Sequence, residues 1–206
     1  MKRTNFDGIL NISGGEYEEL YIDGICNVST DLKAQVLDLD GILNCSGSVD
    51  AQTLDCDGVA NIKGNIRSEV MKVDGVINVG SKSKPTRIEA DEIHCNGVIS
   101  CTGVGEISAD LVDAEGFIKA SEIVGERVLI RSKRSILMRW LQDRFSKVDT
   151  IEATTIELHG VSAQTVNGQD IHIGPECIIE RLDCSGKLYI DPAATVRSIT
   201  GTYTRV

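Results

Sequence analysis

The chain repeats one short pattern: it reads LYIDGICNV at Leu20–Val28, LDLDGILNC at Leu37–Cys45 and LDCDGVANI at Leu54–Ile62. Each stretch has an Asp-Gly pair at its centre, with apolar residues at alternate positions on both sides. A period of two is typical of strands with one buried face. The pattern therefore predicts two short strands that meet at a glycine corner, where glycine supplies the backbone freedom of the bend.

The spacing of the pattern predicts how these strands pair. Asp-Gly pairs begin at residues 7, 23, 40, 57 and 74, in steps of 16, 17, 17 and 17, and Asn96-Gly97 and Glu115-Gly116 continue the series more loosely. A third short strand follows in each unit, as in Val49 with Ala51. Strands this short make marginal hairpins, whereas stacking pairs each strand with its equivalent one coil away. We therefore expect an all-β parallel β-helix with coils of about 17 residues and three short strands per coil.

Two columns of side chains follow from this stacking. Equivalent asparagines would form an outer ladder: Asn11, Asn27, Asn44, Asn61 and Asn78. The residues directly after the corner glycines are apolar: Ile9, Ile25, Ile42, Val59, Val76, Val98 and Phe117. They form an exposed strip suited to lateral association if the alternation continues through the corner, and belong to the core if the corner resets it.

Composition limits the function. The chain has 206 residues, a net charge of −10 and 4% aromatic residues, so its core must be aliphatic and a general nucleic-acid partner is not expected. The first eight residues contain no apolar run, which predicts a cytoplasmic protein without a signal peptide. The seven cysteines include six at positions where other repeats carry aliphatic residues, which predicts buried thiols in a reducing compartment: Cys26, Cys45, Cys56, Cys95, Cys101 and Cys184.

The repeat lapses between Ser132 and Thr150. Apolar residues there recur at helical spacing between cations, which predicts one inserted amphipathic helix over 132–149. The expected organisation is thus coils over 1–131, this helix, and less regular coils over 150–206. The apolar stripe of the helix either covers a flank of the coils or contacts anionic lipid at the inner face of the membrane, or an acidic partner. The contact residues would be Lys133, Arg134, Arg139, Trp140, Arg144 and Lys147.

The Asp-Gly coils, together with Ser13-Gly14-Gly15 and the blocks at 47–51 and 64–68, resemble the bactofilins, polymer-forming bacterial cytoskeletal proteins, and especially the longer Gram-positive variants. The resemblance covers most of residues 5–125. It implies a right-handed β-helix that polymerises end to end without nucleotide and organises envelope, shape or motility components. The chain departs from the usual family pattern because it lacks proline-rich tails and carries the insertion after Ser132.

Other chemistry finds little support in the sequence. His94, His159 and His172 alternate with apolar neighbours and are interpreted as surface residues on different layers. Asp38, Asp55 and Asp113 occupy equivalent outer positions without a recurring basic partner, as expected of a solvated face. We therefore predict no catalytic residue, metal site or cofactor. The alternatives are a left-handed β-helix enzyme of the acyltransferase type and a β-helix binding module that does not polymerise.

The coil ends are the predicted site of self-assembly. Apolar alternation begins at Leu10 and continues to Ile199 without a long polar cap at either end. Soluble repeat arrays need polar terminal units, because the last layer otherwise exposes its core and unpaired strand edges. We expect homo-oligomers or filaments formed by end-to-end stacking through Leu10, Ile12, Leu20, Ile22, Leu188, Ile190, Val196 and Ile199.

Overall fold

The computed structural model describes residues 3–80, 84–132 and 146–206, and within these ranges it contains strands but no helix. Twenty strands form one continuous parallel sheet. They are β1 Arg3–Phe6, β2 Ile9–Ile12, β3 Gly15–Ile22, β4 Ile25–Val28, β5 Leu32–Leu39, β6 Ile42–Cys45, β7 Val49–Cys56, β8 Val59–Ile62, β9 Ile66–Val73, β10 Val76–Val79, β11 Thr86–Cys95, β12 Val98–Cys101, β13 Gly105–Ala114, β14 Phe117–Arg131, β15 Ser146–His159, β16 Val161–Ile173, β17 Ile178–Cys184, β18 Lys187–Ile190, β19 Thr195–Thr200 and β20 Thr204–Arg205.

Each coil has three sides, which we name faces A, B and C. In one coil they are residues 53–56, β8 and residues 66–68. The long strands carry two faces: in β9, Ser68 and Met71 are both buried although they lie three positions apart, so the chain turns a corner between them. The three predicted segments per coil are therefore present, although hydrogen bonding joins two of them into one bent strand.

Pairing between layers shows a continuous β-solenoid of about 11 turns. Val49 aligns with Ile66 across one regular coil, whereas the next step, from Ile66 to Ile88, crosses a longer coil. The step from Ile123 to Ile151 is longer still, because it contains the insertion after Ser132. The longer steps reflect insertions at corners, which leave the stacking intact. Because β14 and β15 pair along most of their length, the coils before and after the insertion form one array.

The predicted helix over 132–149 is wrong at its carboxyl end. Residues 146–149 belong to β15, where Ser146 and Val148 point inward and Lys147 points outward. Lys147 aligns with Lys119 of the preceding coil, so the strand period of two determines its position. The remainder of the predicted helix, with Lys133, Arg134, Arg139, Trp140 and Arg144, lies in residues 133–145, outside the described residues.

Inward positions form aliphatic columns, as the alternation predicts. Leu20, Leu37 and Leu54 stack in three successive layers and are at most 2% exposed. The asparagine ladder is also confirmed: each Nδ2 donates to the Oδ1 of the asparagine one layer below, at 2.9 Å, from Asn27 to Asn11 and onward to Asn78. Amide ladders and aliphatic columns fix the register between coils. A slip of one residue would place asparagines opposite inward aliphatic residues and break both sets of contacts.

The corner glycines are required for a reason that the sequence did not reveal. Gly24, Gly41 and Gly58 do not have positive φ, so conformational freedom is not what selects them. Instead, each lies directly over the corner below it, and a Cβ built on Gly58 would overlap the carbonyl oxygen of Gly41. Close approach of successive backbones therefore excludes any side chain at this position. The same overlap recurs at Gly24, Gly41, Gly75, Gly97 and Gly116.

All seven cysteines are buried and free. This confirms the six predicted from the repeat and adds Cys177. Burial raises the pKa of the Cys56, Cys95 and Cys101 thiols to about 12, because a thiolate would be poorly solvated inside the coil.

We expect a maleimide or disulfide reagent at pH 8 to modify the native protein only slowly at Cys45 and Cys56, since both thiols are buried and the pKa of each is raised by burial. Denaturant should make all seven thiols reactive within the same assay. Mass spectrometry of digested samples would assign the modified positions. Rapid labelling of both residues in the folded protein would contradict their place in the core.

Candidate assembly surfaces

The first layer of the solenoid has an open edge. Among the described residues, β1 and β2 each pair on one side only, with β3 and β4. The start of β3 also pairs on one side only, because residues 15–17 align only with β5. Strand edges of this kind carry unpaired N–H and C=O groups that can accept a further strand.

The apolar interior reaches this edge. Phe6, Leu10, Ile12 and Tyr17 point inward but are only half-buried, because no described layer lies over them. Phe6 and Tyr17 meet edge to face, with ring centroids 6.3 Å apart and planes at 82°. The end surface is therefore an apolar floor with an aromatic pair at one side.

Charged groups flank this floor along face A. The Arg3 Nε lies 3.4 Å from a Glu19 carboxylate oxygen, and the Arg3 guanidinium lies 4.8 Å from the centre of the Tyr21 ring. These groups are on the outer side of face A. An apolar centre with a polar rim is the usual composition of a protein interface.

The opposite end also has an open edge. Among the described residues, β19 pairs only with β17, and β20 pairs only with β18. An open hollow of about 380 Å³ lies at this end, lined by both aliphatic and polar residues. Ile190, Val196 and Ile199 are half-buried and line it together with Leu188 and Ala194. Arg205 and Asp191 are among the polar residues that line it.

The structure divides the predicted assembly residues into two groups. Leu10, Ile12, Ile190, Val196 and Ile199 lie at the two end surfaces. The remaining three are buried and at most 1% exposed: Leu20, Ile22 and Leu188. Phe6 and Tyr17 were not predicted, because their place at the end depends on how the first coil folds rather than on the repeat.

The histidines are closer together than their spacing suggests. His159 and His172 stack with ring centroids 5.8 Å apart, and His172 stacks on Tyr189 at 4.4 Å. The interpretation that they lie on different layers is correct, but the layers are adjacent. His94 is elsewhere on face A, with its Nε2 3.4 Å from Glu92. Within the described residues, no group of three or more His, Cys, Asp or Glu side chains is arranged to hold a metal ion.

Asp38, Asp55 and Asp113 occupy equivalent outer positions in one column of face A, as predicted, but only Asp38 and Asp55 are adjacent. Lys72 and His94 lie between Asp55 and Asp113. Burial, followed by repulsion from Asp40, Asp55 and Asp57, raises the pKa of Asp38. Beside this column runs a second one at the corner between faces A and B, which we name the acid rim. It consists of Asp7, Asp23, Asp40, Asp57 and Asp74.

Two described residues at this same corner flank the basic segment, residues 133–145. Ser132 and Ser146 flank it, and their Oγ atoms are 2.8 Å apart, so its two ends meet. Ser146 is buried and its Oγ accepts a hydrogen bond from the Ile118 amide at 3.0 Å. Arg131, at the end of β14, donates from Nη2 to Asp113 of the preceding coil at 2.6 Å. The coils on either side of the insertion therefore remain paired with each other.

Comparison with known proteins gives limited further information. No family model matches the chain, and no solved structure gives a significant match. The chain is 35% identical over 74 residues to the uncharacterized protein YhbE of Bacillus subtilis (strain 168). That match covers 36% of this chain and 31% of YhbE, so the chain aligns with about a third of that relative. The described residues contain no helix long and apolar enough to cross a membrane.

Proposed function

We propose that this chain is a self-assembling scaffold of the bactofilin type, whose copies associate through the ends of the solenoid. The observation that carries the proposal is the structure of the two end layers. Each combines open strand edges with half-buried aliphatic residues, such as Ile12 at one end and Ile190 at the other. A second copy stacked on either end would pair the edges and bury the apolar floor.

The energetics are adequate for assembly. Fully burying an aliphatic side chain contributes roughly 1.5 to 3 kcal/mol, so completing the burial of three or four such residues contributes several kcal/mol before the cost of association. Strand pairing between copies replaces the hydrogen bonds that the N–H and C=O groups of the edge strands make to water. An interface between unlike ends repeats indefinitely and gives an open filament. Contacts between like ends also give a filament when both ends associate, and give a closed pair when only one end does.

The proposed activity is mechanical rather than chemical. The chain would polymerise without nucleotide or other cofactor, and the filament would position components of the cell envelope, of cell shape or of motility machinery. Its place of action would be the cytoplasm, at the inner face of the membrane where the basic segment provides a contact. The acidic surface of the solenoid keeps such an assembly soluble.

Negative-stain electron microscopy and static light scattering of the purified chain test the proposal. We expect particles that are one solenoid wide and many molecules long, and a scattering mass that rises with concentration. A chain that remains monomeric at high concentration across salt and pH would refute the scaffold. That result would favour a binding module or an enzyme instead.

The membrane contact is tested separately by replacing residues 133–145 with two glycines, which is feasible because Ser132 and Ser146 already touch. We expect the circular dichroism of the sheet to be unchanged, since the strands pair on both sides of the insertion. Flotation with vesicles containing phosphatidylglycerol should be lost, because the removed segment carries four cations and one carboxylate.

A second variant controls for length: glutamine at Lys133, Arg134, Arg139 and Arg144 keeps the segment and removes its positive charge. Vesicles of phosphatidylcholine alone provide the lipid control. If the unmodified chain does not float with either lipid, the membrane contact is wrong, and the segment covers a flank of the coils or contacts an acidic partner instead. The end-to-end assembly does not depend on this outcome.

A further inference from the structure

Face B is unusual on this molecule because its outer surface carries no charge through the first six layers. Its outward positions hold aliphatic residues in one column and amides or serine in the other. By contrast, faces A and C carry Asp38, Asp55, Lys72, Asp50 and Arg67 at equivalent outer positions. The twelve residues of face B are Ile9, Asn11, Ile25, Asn27, Ile42, Asn44, Val59, Asn61, Val76, Asn78, Val98 and Ser100.

The structure shows whether the side chains that follow the corner glycines point inward or outward. Ile25 and Asn27 point outward while Cys26 and Val28 are buried, so the alternation continues through the corner. Ile9 is 75% exposed and Ile42 is 36% exposed. The apolar column is therefore a surface feature, in register from Ile9 to Phe117.

We infer that face B is a lateral interface at which a second copy of this chain packs, with the two solenoids antiparallel. Depletion of charge with retained apolar area characterises the centre of an interface. A partner with a charged surface would find no complementary group here. A second copy offers the same neutral surface, so no charge is buried without a partner.

Symmetry determines the orientation. A two-fold axis that lies between the two faces and perpendicular to the solenoid axis places the aliphatic column of one copy on that of the other, and amide on amide. A two-fold axis parallel to the solenoid would instead place aliphatic side chains on amides. The antiparallel arrangement is therefore the one that buries apolar surface against apolar surface, with Ile42 opposite Val59 near the centre of the face.

The area of face B determines whether two copies can associate through it alone. Six layers at about 4.8 Å and four residues at about 3.3 Å give roughly 380 Å² per copy, or about 750 Å² in total. Stable interfaces bury about 1,200 to 2,000 Å², so two isolated copies would not stay together. Many such contacts along a filament add up, so the inference rests on the proposed end-to-end assembly.

The acid rim controls the strength of this contact. In the antiparallel pair, both acid rims lie along the same edge of the interface and repel each other. Within one copy, carboxylates of the rim already interact: a hydrogen bond with Asp7, followed by burial and repulsion from Asp7 and Asp40, raises the pKa of Asp23. Salt screens charges beyond about 8 Å at physiological ionic strength, so lateral association should increase as salt is added.

Electron microscopy of two matched variants tests the inference. Ile42→Lys puts one positive charge on face B, and Gln52→Lys puts one at the exposed corner between faces C and A. We expect bundles for the unmodified chain and for Gln52→Lys, and single filaments for Ile42→Lys. Bundles of Ile42→Lys, or single filaments of the unmodified chain at every salt concentration, would overturn the lateral interface and leave the end-to-end proposal intact.

Cross-linking identifies the occupant of the face. Ile42→Cys and Val59→Cys, mixed and treated with a short bismaleimide, should give a covalent dimer, because the seven native thiols are buried. Asp50→Cys on face C is the control and should give none. A cross-link within one chain between Ile42→Cys and Ser135→Cys would show that residues 133–145 cover the face and would overturn the inference. A chain that forms no filaments would refute both proposals.

Discussion

Gly58→Ala is expected to destabilise the solenoid by more than about 3 kcal/mol, beyond the usual range for overpacking. The added Cβ would overlap the carbonyl oxygen of Gly41 and lie 2.6 Å from that of Asp40. Both are backbone atoms, so no side-chain rotation relieves the contact. The two corners are also held together by backbone hydrogen bonds, since Val59 donates to Gly41 O at 2.9 Å and Gly58 donates to Leu39 O at 2.8 Å.

Urea denaturation followed by circular dichroism measures this effect, with Asp57→Ala as the control in the same corner. Asp57 is exposed, and partial desolvation, followed by repulsion from Asp55, Asp74 and Asp40, raises the pKa of its carboxyl group. Its removal should therefore have little effect or be slightly stabilising at pH 7. Equal midpoints for the two variants would show that the corners can separate without cost, contrary to the stacking described above.

Much of the fold follows from the sequence because stacking makes identical positions into neighbours. Leu20, Leu37 and Leu54 are equivalent in the repeat, and the structure places them in one buried column. The asparagines repeat at the same interval, and only parallel stacking in register puts their amides within hydrogen-bonding distance. The alternation within each strand and the regular recurrence of the Asp-Gly corner are thus sufficient to predict the coil and its inward residues.

The orientation and contacts of the corner residues could not be predicted in the same way. Alternation alone does not reveal whether Ile42 points inward or outward after a glycine, because the answer depends on the angle of the bend. The role of Gly58 is likewise a distance between two coils rather than a local preference. His159 and His172 come together because the coils in this region are shorter than those of the Asp-Gly repeat, which brings the two histidines onto adjacent layers.

The helix prediction shows a related difficulty. Leu141 and Val148 fit helical spacing, but Ser146 and Val148 also fit the alternation of a strand. A window of a few residues satisfies both periods, so the end of the insertion is decided by pairing with β14. Residues 133–145 lie outside the described part of the chain, and their predicted helix stays a prediction.

The end surfaces could be predicted only in part. Every layer carries similar apolar residues, so the repeat does not show which of them lie at an end of the solenoid. Leu20 and Leu10 both occupy inward positions, yet Leu20 is 0% exposed and Leu10 is half-buried. The right-handed sense of the solenoid is implied by the bactofilin resemblance alone and stays a prediction.

Ile12→Lys and Ile190→Lys are expected to prevent assembly while leaving each solenoid folded. Both residues are half-buried at an end surface, so a lysine there can extend into water in the monomer. In the assembly the same charge would be buried without a partner, which costs at least about 3 kcal/mol. That corresponds to roughly a hundredfold weaker association. Static light scattering over a concentration series measures the change.

Comparing the two variants with their double mutant also reveals how the ends pair. If unlike ends meet, each interface uses both surfaces, so either substitution alone should leave monomers. If like ends meet, each single variant keeps one intact interface and should stop at dimers, and only the double mutant should be monomeric. Gln52→Lys, which adds the same charge far from both ends, should assemble like the unmodified chain. An unchanged particle mass for Ile12→Lys, Ile190→Lys and their double mutant would show that the ends are not the site of assembly. In that case the added charges would not weaken association.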